Sequence, residues 1–306
     1  MARKRKGRAI DGLLLLNKPT GESSNASLQK VKRLYQAAKA GHTGSLDPLA
    51  TGMLPICLGE ATKFSQFLLN ADKAYRVTAK LGERTETSDS EGEIVETREI
   101  KVTKQQLLKV IKKFRGESMQ IPSMYSALKH NGQPLYKLAR QGLVVERQPR
   151  PITIFAAELV SFESPYLVMD VECSKGTYIR TLIDDMGELL GCGAHVTALH
   201  RSWVGAFDTQ QMISFEDLSA IAESQDLAAL DDLLLDADTA VLDFPEASLS
   251  AEMSDYILHG QPILVPQAPA EGLVRLYNHD DQFIGVGEVN HDGLIAPKRL
   301  ISTAPE

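Results

Sequence analysis

Asp47 is the acidic residue of a glycine-studded stretch, Gly41-His42-Thr43-Gly44-Ser45-Leu46-Asp47-Pro48-Leu49-Ala50-Thr51-Gly52. A carboxylate held on a loop that proline and glycines shape can act as nucleophile or base. To do so it must stay ionised while shielded from water; burial opposes that and a fixed cation favours it. Arg180 is a candidate cation, in the first turn of a predicted helix and off its apolar stripe. A guanidinium there could hold the carboxylate through two parallel hydrogen bonds. Both residues also have plainer readings: Asp-Pro initiates turns, and an arginine at a helix start can be a surface or phosphate contact. Tyr75, on the apolar face of a predicted strand, is either core or an active-site ring whose hydroxyl needs a partner.

These residues need a scaffold, and its periodicities are readable. Leu13 to Leu16 reads as a buried strand ended by Asn17-Lys18-Pro19, and Ser24 or Asn25 caps a helix with the stripe Leu28, Val31 and Leu34. Residues 60–69 read as helical. Residues 73–82 alternate, with Tyr75, Val77, Ala79 and Leu81 on one face, as a half-buried strand does. A polar loop (83–93) precedes a helix that points Leu107, Leu108, Ile111 and Phe114 inward and stops at Gly116. Residues 122–150 predict a mobile excursion with a short helix near Leu135 to Arg140. Strands follow at 151–160 and 166–173. Thr177 is placed to cap a helix with inward Ile179, Leu182, Ile183, Met186 and Leu190, closed by Gly191, and 194–201 is another strand. The acidic stretch 214–238 predicts one or two helices; after Pro245 short strands and turn signals predict a small β-rich module.

Bulk properties narrow the function classes. At 306 residues, 43% hydrophobic and 24% charged, the chain suits one large domain plus a small one. No apolar run reaches the roughly 18 residues of a membrane helix. The basic start, Met1 to Arg8, lacks the apolar core of a secretory signal. Cys57, Cys173 and Cys192 lie too far apart in sequence for a disulfide framework or a zinc site, which points to the cytoplasm. The net charge of −7 hides an asymmetry: residues 1–201 hold 30 Lys and Arg against 21 Asp and Glu, whereas residues 202–306 hold 3 against 19. A basic body with an acidic end is compatible with a polyanion partner, and equally with solvated faces.

Four segments in order carry a resemblance: the 41–52 loop, Glu60-Ala61-Thr62-Lys63-Phe64, Lys73-Ala74-Tyr75-Arg76, and Ser174-Lys175-Gly176-Thr177-Tyr178-Ile179-Arg180. Together they resemble the tRNA pseudouridine-55 synthase family, over nearly the whole chain from Gly12 to about Leu300. Ser45 in the loop and Asn17 before Lys18-Pro19 are small departures that do not touch the proposed chemistry. The resemblance implies an α+β fold with a mixed, largely antiparallel central sheet flanked by helices and a small C-terminal β-barrel resembling the PUA domain. Its implied layout is a basic tail (1–10), a catalytic domain (11–246) with a thumb-like insertion near 122–150, and an RNA-binding module (247–306), acidic here.

The implied activity is conversion of uridine-55 in the tRNA T-loop to pseudouridine, without metal or cofactor. The C1′–N1 bond must break and C5 must bond to C1′, so Asp47 is implied as nucleophile at C1′ or base at C2′. The same resemblance implies that Arg180 pairs with Asp47. Tyr75 stacks on the base and takes part in moving the C5 proton, while Tyr178 lines the uracil pocket and Leu199 touches substrate. It further implies that His42 fills the space the flipped base leaves, with Lys63 near the active site as a phosphate or structural contact. The expected partner is the T-arm of tRNA, with a monomer needing no protein partner and no membrane. A role in tRNA folding is compatible, because flipping a T-loop base opens the tRNA elbow. Of the rivals, the guide-RNA-dependent synthases lack the thumb insertion, and a glycosidase needs a carboxylate pair where the loop offers Asp47 alone.

Overall fold

The computed structural model describes residues 7–224 and 226–302. The expected basic tail lies outside the described residues through Lys6. From Gly7 onward the chain is not a loose tail: Arg8 bridges to Ala37 through two backbone hydrogen bonds, and its guanidinium meets Asp231 at 2.5 Å. These partners come from distant sequence, so local composition could not announce them. The chain forms two compact units. One comprises Met1–Leu46, Leu54–Asn70 and Gln210–Glu306, the other Asp47–Met53 and Ala71–Thr209.

In the second unit the sheet order is Ala194–Val204, Lys73–Leu81, Tyr166–Cys173, Arg150–Glu163 and Gly116–Gln120, every neighbour antiparallel. A short parallel pairing, His200 to Thr51 and Arg201 to Gly52, joins the exit of the 41–52 loop to this sheet. The alternation of Lys73–Leu81 is realised: Tyr75, Val77, Ala79 and Leu81 are buried while Arg76 is exposed. Its register sets Val171 and Arg201 on either side of Tyr75, and Cys173 and Val204 on either side of Lys73.

Two helices cover the sheet. Lys104–Lys113 starts with a capping box between Thr103 and Gln106. It buries Leu107, Val110 and Ile111, a narrower stripe than expected, and Leu108 is 46% exposed. The second helix, Ile179–Leu190, ends on Gly191 in the left-handed conformation. Thr177 does not cap it: the N-cap position falls one residue later, on Tyr178, whose side chain makes no cap bond, and the Thr177 hydroxyl donates to the Ser174 carbonyl in the preceding turn. The polar 83–93 segment also gains order: Glu83–Thr85 pairs with Ile94–Thr97, and Asp89 bridges to Val196. Residues 122–150 include the expected short helix, Leu135–Ala139, and a two-stranded hairpin. Met124, Leu135 and Leu138 give that excursion a core of its own.

In the first unit Gly12–Lys18 pairs in parallel with Ile213–Ser214, and Ala40–His42 pairs with residues 56–58. Leu13 to Leu16 are all buried. The Ser24–Leu34 helix is capped by Ser23 rather than Ser24, whose hydroxyl is spent on the Leu46 backbone. The C-terminal β-rich segment is a four-stranded sheet, Glu246–Ser248, Gly272–Tyr277, Phe283–Val289 and Ile295–Leu300, with the helix Ala251–Leu258 over its core. It packs on the helical segment at 59–70 through Phe64 against Phe283, with ring centroids 5.1 Å apart. Among the described residues no helix is long and apolar enough to cross a membrane.

Candidate active site

The 41–52 loop is pinned at both ends. Its first half is held in the first unit, where the Ser24 hydroxyl bonds both backbone groups of Leu46 and the Thr43 N–H donates to the Pro55 carbonyl. Its second half is held in the second unit. The Ala50 N–H donates to the Asp47 carbonyl, closing the turn that Pro48 starts, and Gly52 lies against Arg201. Gly52 has φ +96, and a β-carbon there would sit 2.3 Å from the Arg201 carbonyl oxygen. Only glycine supports that approach.

Arg180 takes Asp47 as a bidentate partner, with Nε 2.8 Å from Oδ2 and Nη2 donating to Oδ1 at 3.2 Å. Nη2 also donates to the Tyr125 carbonyl at 2.9 Å. Nη1 donates to the Thr87 carbonyl at 3.0 Å and meets the Asp89 carboxylate at 3.1 Å. These five contacts match the five N–H groups of a guanidinium. Arg180 is 5% exposed and Asp89 2%, while 37% of the Asp47 side chain remains open. A buried cation needs compensation, and here one carboxylate is enclosed with it while the other faces outward. Asp89 is itself held by the Thr87 hydroxyl (2.5 Å) and the Glu91 N–H (3.0 Å).

The neighbouring sheet face carries Tyr75, Leu199 and Arg201, all buried. Burial pushes the Tyr75 hydroxyl above its ordinary pKa, and the charge and hydrogen bond of Arg201 oppose that shift. Lys73, two residues along the strand, is lowered to about 8 by burial and then by Arg201. Tyr178 is half-buried at the helix entrance. The Gln120 side chain clasps its backbone, accepting from its N–H at 2.8 Å and donating to its carbonyl at 3.1 Å. Burial raises the Tyr178 hydroxyl as well.

Asp47, Tyr75, Tyr178, Arg180 and Leu199 thus all belong to the second unit. His42 belongs to the first, half-buried on the strand Ala40–His42 opposite Ile56. Lys63 is also in the first unit and is structurally engaged: it pairs with Glu60 and donates to the Leu300 carbonyl and the Ser302 hydroxyl. The sequence did not single out Asp89, Gln120 or Arg201. A signal existed only for Arg201, which alternation puts on the face of Leu199, where a charge is out of place. Among the described residues no group of three His, Cys, Asp or Glu could hold a metal ion.

Comparison with known proteins agrees along the chain. Residues 32–179 match the TruB family pseudouridylate synthase N-terminal domain, 180–242 the tRNA pseudouridylate synthase B C-terminal domain, and 245–301 the C-terminal segment of pseudouridine synthase II TruB. The tRNA pseudouridine synthase B of Aliivibrio fischeri (strain MJ11) is 58% identical over 98% of both chains, as is that of Vibrio vulnificus (strain YJ016). That of Shewanella pealeana is 57% identical over 98% of both. Among solved structures, a Cbf5-Nop10-Gar1 complex aligns with a TM-score of 0.73 at 24% identity, covering 94% of this chain and 84% of that one. An H/ACA RNP bound to a substrate RNA containing 2′-deoxyuridine gives 0.73 at 22%, covering 98% and 91%. These two likenesses establish the fold, and the full-length identities establish the lineage: the chain belongs to the TruB family of pseudouridylate synthases.

Proposed function

We propose that this chain isomerises a T-loop uridine of tRNA to pseudouridine, with Asp47 as nucleophile and no cofactor. The observation that carries the reading is the bidentate Asp47–Arg180 pair, in which an enclosed guanidinium orients a carboxylate that stays open on one side. The target base is swung out of the loop at a cost of a few kcal/mol, and His42 offsets part of that cost by occupying its place. The C1′–N1 bond then breaks as Asp47 attacks C1′, and the freed uracil turns between Tyr75, Tyr178 and Leu199. C5 bonds to C1′, displacing Asp47. C5 gives up its proton with the participation of Tyr75, and N1 ends protonated. Isomerisation conserves atoms and electrons, so no co-reactant is called for.

Charge supports an RNA partner. The 122–150 excursion exposes Lys129, Lys137, Arg140 and Arg150, which suit the phosphates of a stem and support its reading as the thumb. The protein acts in the cytoplasm as a monomer without an obligatory partner, and opening the elbow lets it assist tRNA folding as well. Incubating purified protein with a T-stem-loop RNA in chelator, then mapping pseudouridine, tests the reading. The expected outcome is one modified T-loop uridine. Tight binding with no pseudouridine would favour a protein that only folds RNA.

A further inference from the structure

Arg201 is buried on the strand Ala194–Val204, 1% exposed, and the activity proposed above gives it no part. Its Nε donates to the Met53 carbonyl at 2.7 Å, just beyond the catalytic loop. It is paired directly across the strands with Tyr75, and its side chain acts on the Tyr75 hydroxyl. Its backbone is the surface on which Gly52 closes, where no side chain would fit. One residue therefore touches the loop exit twice and the tyrosine once. A buried arginine is costly, and an apolar residue of similar volume would fill a strand interior at lower cost. Retaining the charge there implies a use for it.

We infer that Arg201 is a positioning residue: it fixes the Tyr75 hydroxyl relative to the loop that carries Asp47, so that the tyrosine and the carboxylate meet the uracil in one geometry. The inference rests on the proposed role of Tyr75. Lysine could hold the tyrosine or the Met53 carbonyl but lacks the planar fork that spans both. Of the charged and titratable groups that act on the Tyr75 hydroxyl, Arg201 directly across the strand pair comes first, ahead of Cys173 and the Asp47 carboxylate. A wrong setting of Arg201 is thus felt first at Tyr75.

The test is a double-mutant cycle in single-turnover pseudouridine formation on a T-stem-loop RNA, with 13Cζ-tyrosine NMR on the same proteins. Arg201→Met should lower the rate about tenfold to a hundredfold, the worth of one hydrogen bond to a charged group, with RNA affinity within about threefold. Arg201→Lys should lose less. In a Tyr75→Phe background the Arg201→Met penalty should shrink to about threefold or less, because the hydroxyl it positions is already gone. The Tyr75 Cζ resonance, assigned as the one missing in Tyr75→Phe, should shift in Arg201→Met while the other tyrosine signals stay put. That second pattern also shows that the variant is folded. An unmoved Tyr75 resonance, or an equal Arg201→Met penalty in both backgrounds, overturns the inference. Movement of all the tyrosine signals would do the same, making Arg201 a general core support. Wild-type turnover by Tyr75→Phe would instead remove the catalytic role of Tyr75, an outcome distinguishable because the resonance shift reads the Arg201 contact by itself.

Discussion

Arg180 and Asp89 meet at 3.1 Å with 6% and 3% of their side chains exposed, and the same guanidinium holds the far more open Asp47 at 2.8 Å. The buried pair makes a charged platform on which Asp47 rests. All these contacts of Arg180 come from the protein itself, so the fold sets its orientation ahead of the chemistry.

Asp89→Asn keeps the shape of that platform and removes its charge. Its single-turnover rate should fall about tenfold to a hundredfold with T-arm affinity little changed, since the lost contact is to a charged partner and none is to phosphate. Asp89→Ala should also lower folding stability by about 3 kcal/mol, because a buried arginine loses a partner. Rapid-quench kinetics and denaturant unfolding read the two effects; wild-type rates in Asp89→Asn would show that Arg180 needs Asp47 alone.

Gly52→Ala should be disproportionately harmful for one methyl group. The new β-carbon would lie 2.3 Å from the Arg201 carbonyl at φ +96, so the loop exit must shift. A stability loss of about 1–3 kcal/mol is expected, together with a drop in turnover. Gly176→Ala, where a β-carbon meets nothing within 4 Å at φ +79, should be much milder in denaturant melts. Equal losses at the two sites would mean that backbone conformation, not the Arg201 contact, decides the cost.

Much of this fold is written in local periodicity. The alternation of Lys73–Leu81, the stripe of Ile179–Leu190 and the continuous Leu13 to Leu16 run each became the expected element, because burial of one face, or of both in the last case, is a short-range pattern. Asp47 and Arg180 were legible through the motifs around them. Asp89 was not: it shares a polar segment with Glu83, Glu86, Glu91 and Glu93, and only the tertiary approach of Arg180 distinguishes it. The caps failed for a related reason. Ser24 both donates to and accepts from the Leu46 backbone, and the helix at Ile179 starts one residue beyond the reach of a Thr177 cap, at Tyr178. The C-terminal helix Ala251–Leu258 was missed because turn signals and short strands dominate its surroundings.

Lys73 should leave a signature in the pH dependence of stability. Burial holds its ammonium down to about 8, against an ordinary value of 10.5. Between those values the unfolded chain binds the proton and the folded protein does not, so this group makes stability rise with pH across the window. Unfolding free energies of wild type minus Lys73→Met should therefore climb from about pH 8 to about pH 10.5. A flat difference would mean that Lys73 keeps its charge in the fold.

Binding of a T-stem-loop should weaken steeply with salt despite the overall charge of −7, because the positive charge lies in residues 1–201. Removing the exposed cations Lys129, Lys137 and Arg140 together should flatten the slope of log affinity against log salt by about two to three units, roughly one per lost phosphate contact. Fluorescence titrations between low and physiological salt read this directly. An unchanged slope would put the phosphates elsewhere.

The central claim is that Asp47, oriented by Arg180, is the reacting carboxylate. Its most direct test is single-turnover pseudouridine formation by purified Asp47→Asn on a T-stem-loop RNA, with affinity measured on the same preparation. The account predicts no detectable pseudouridine and affinity within about tenfold of wild type, because phosphate contacts dominate binding. Measurable turnover by Asp47→Asn would contradict it.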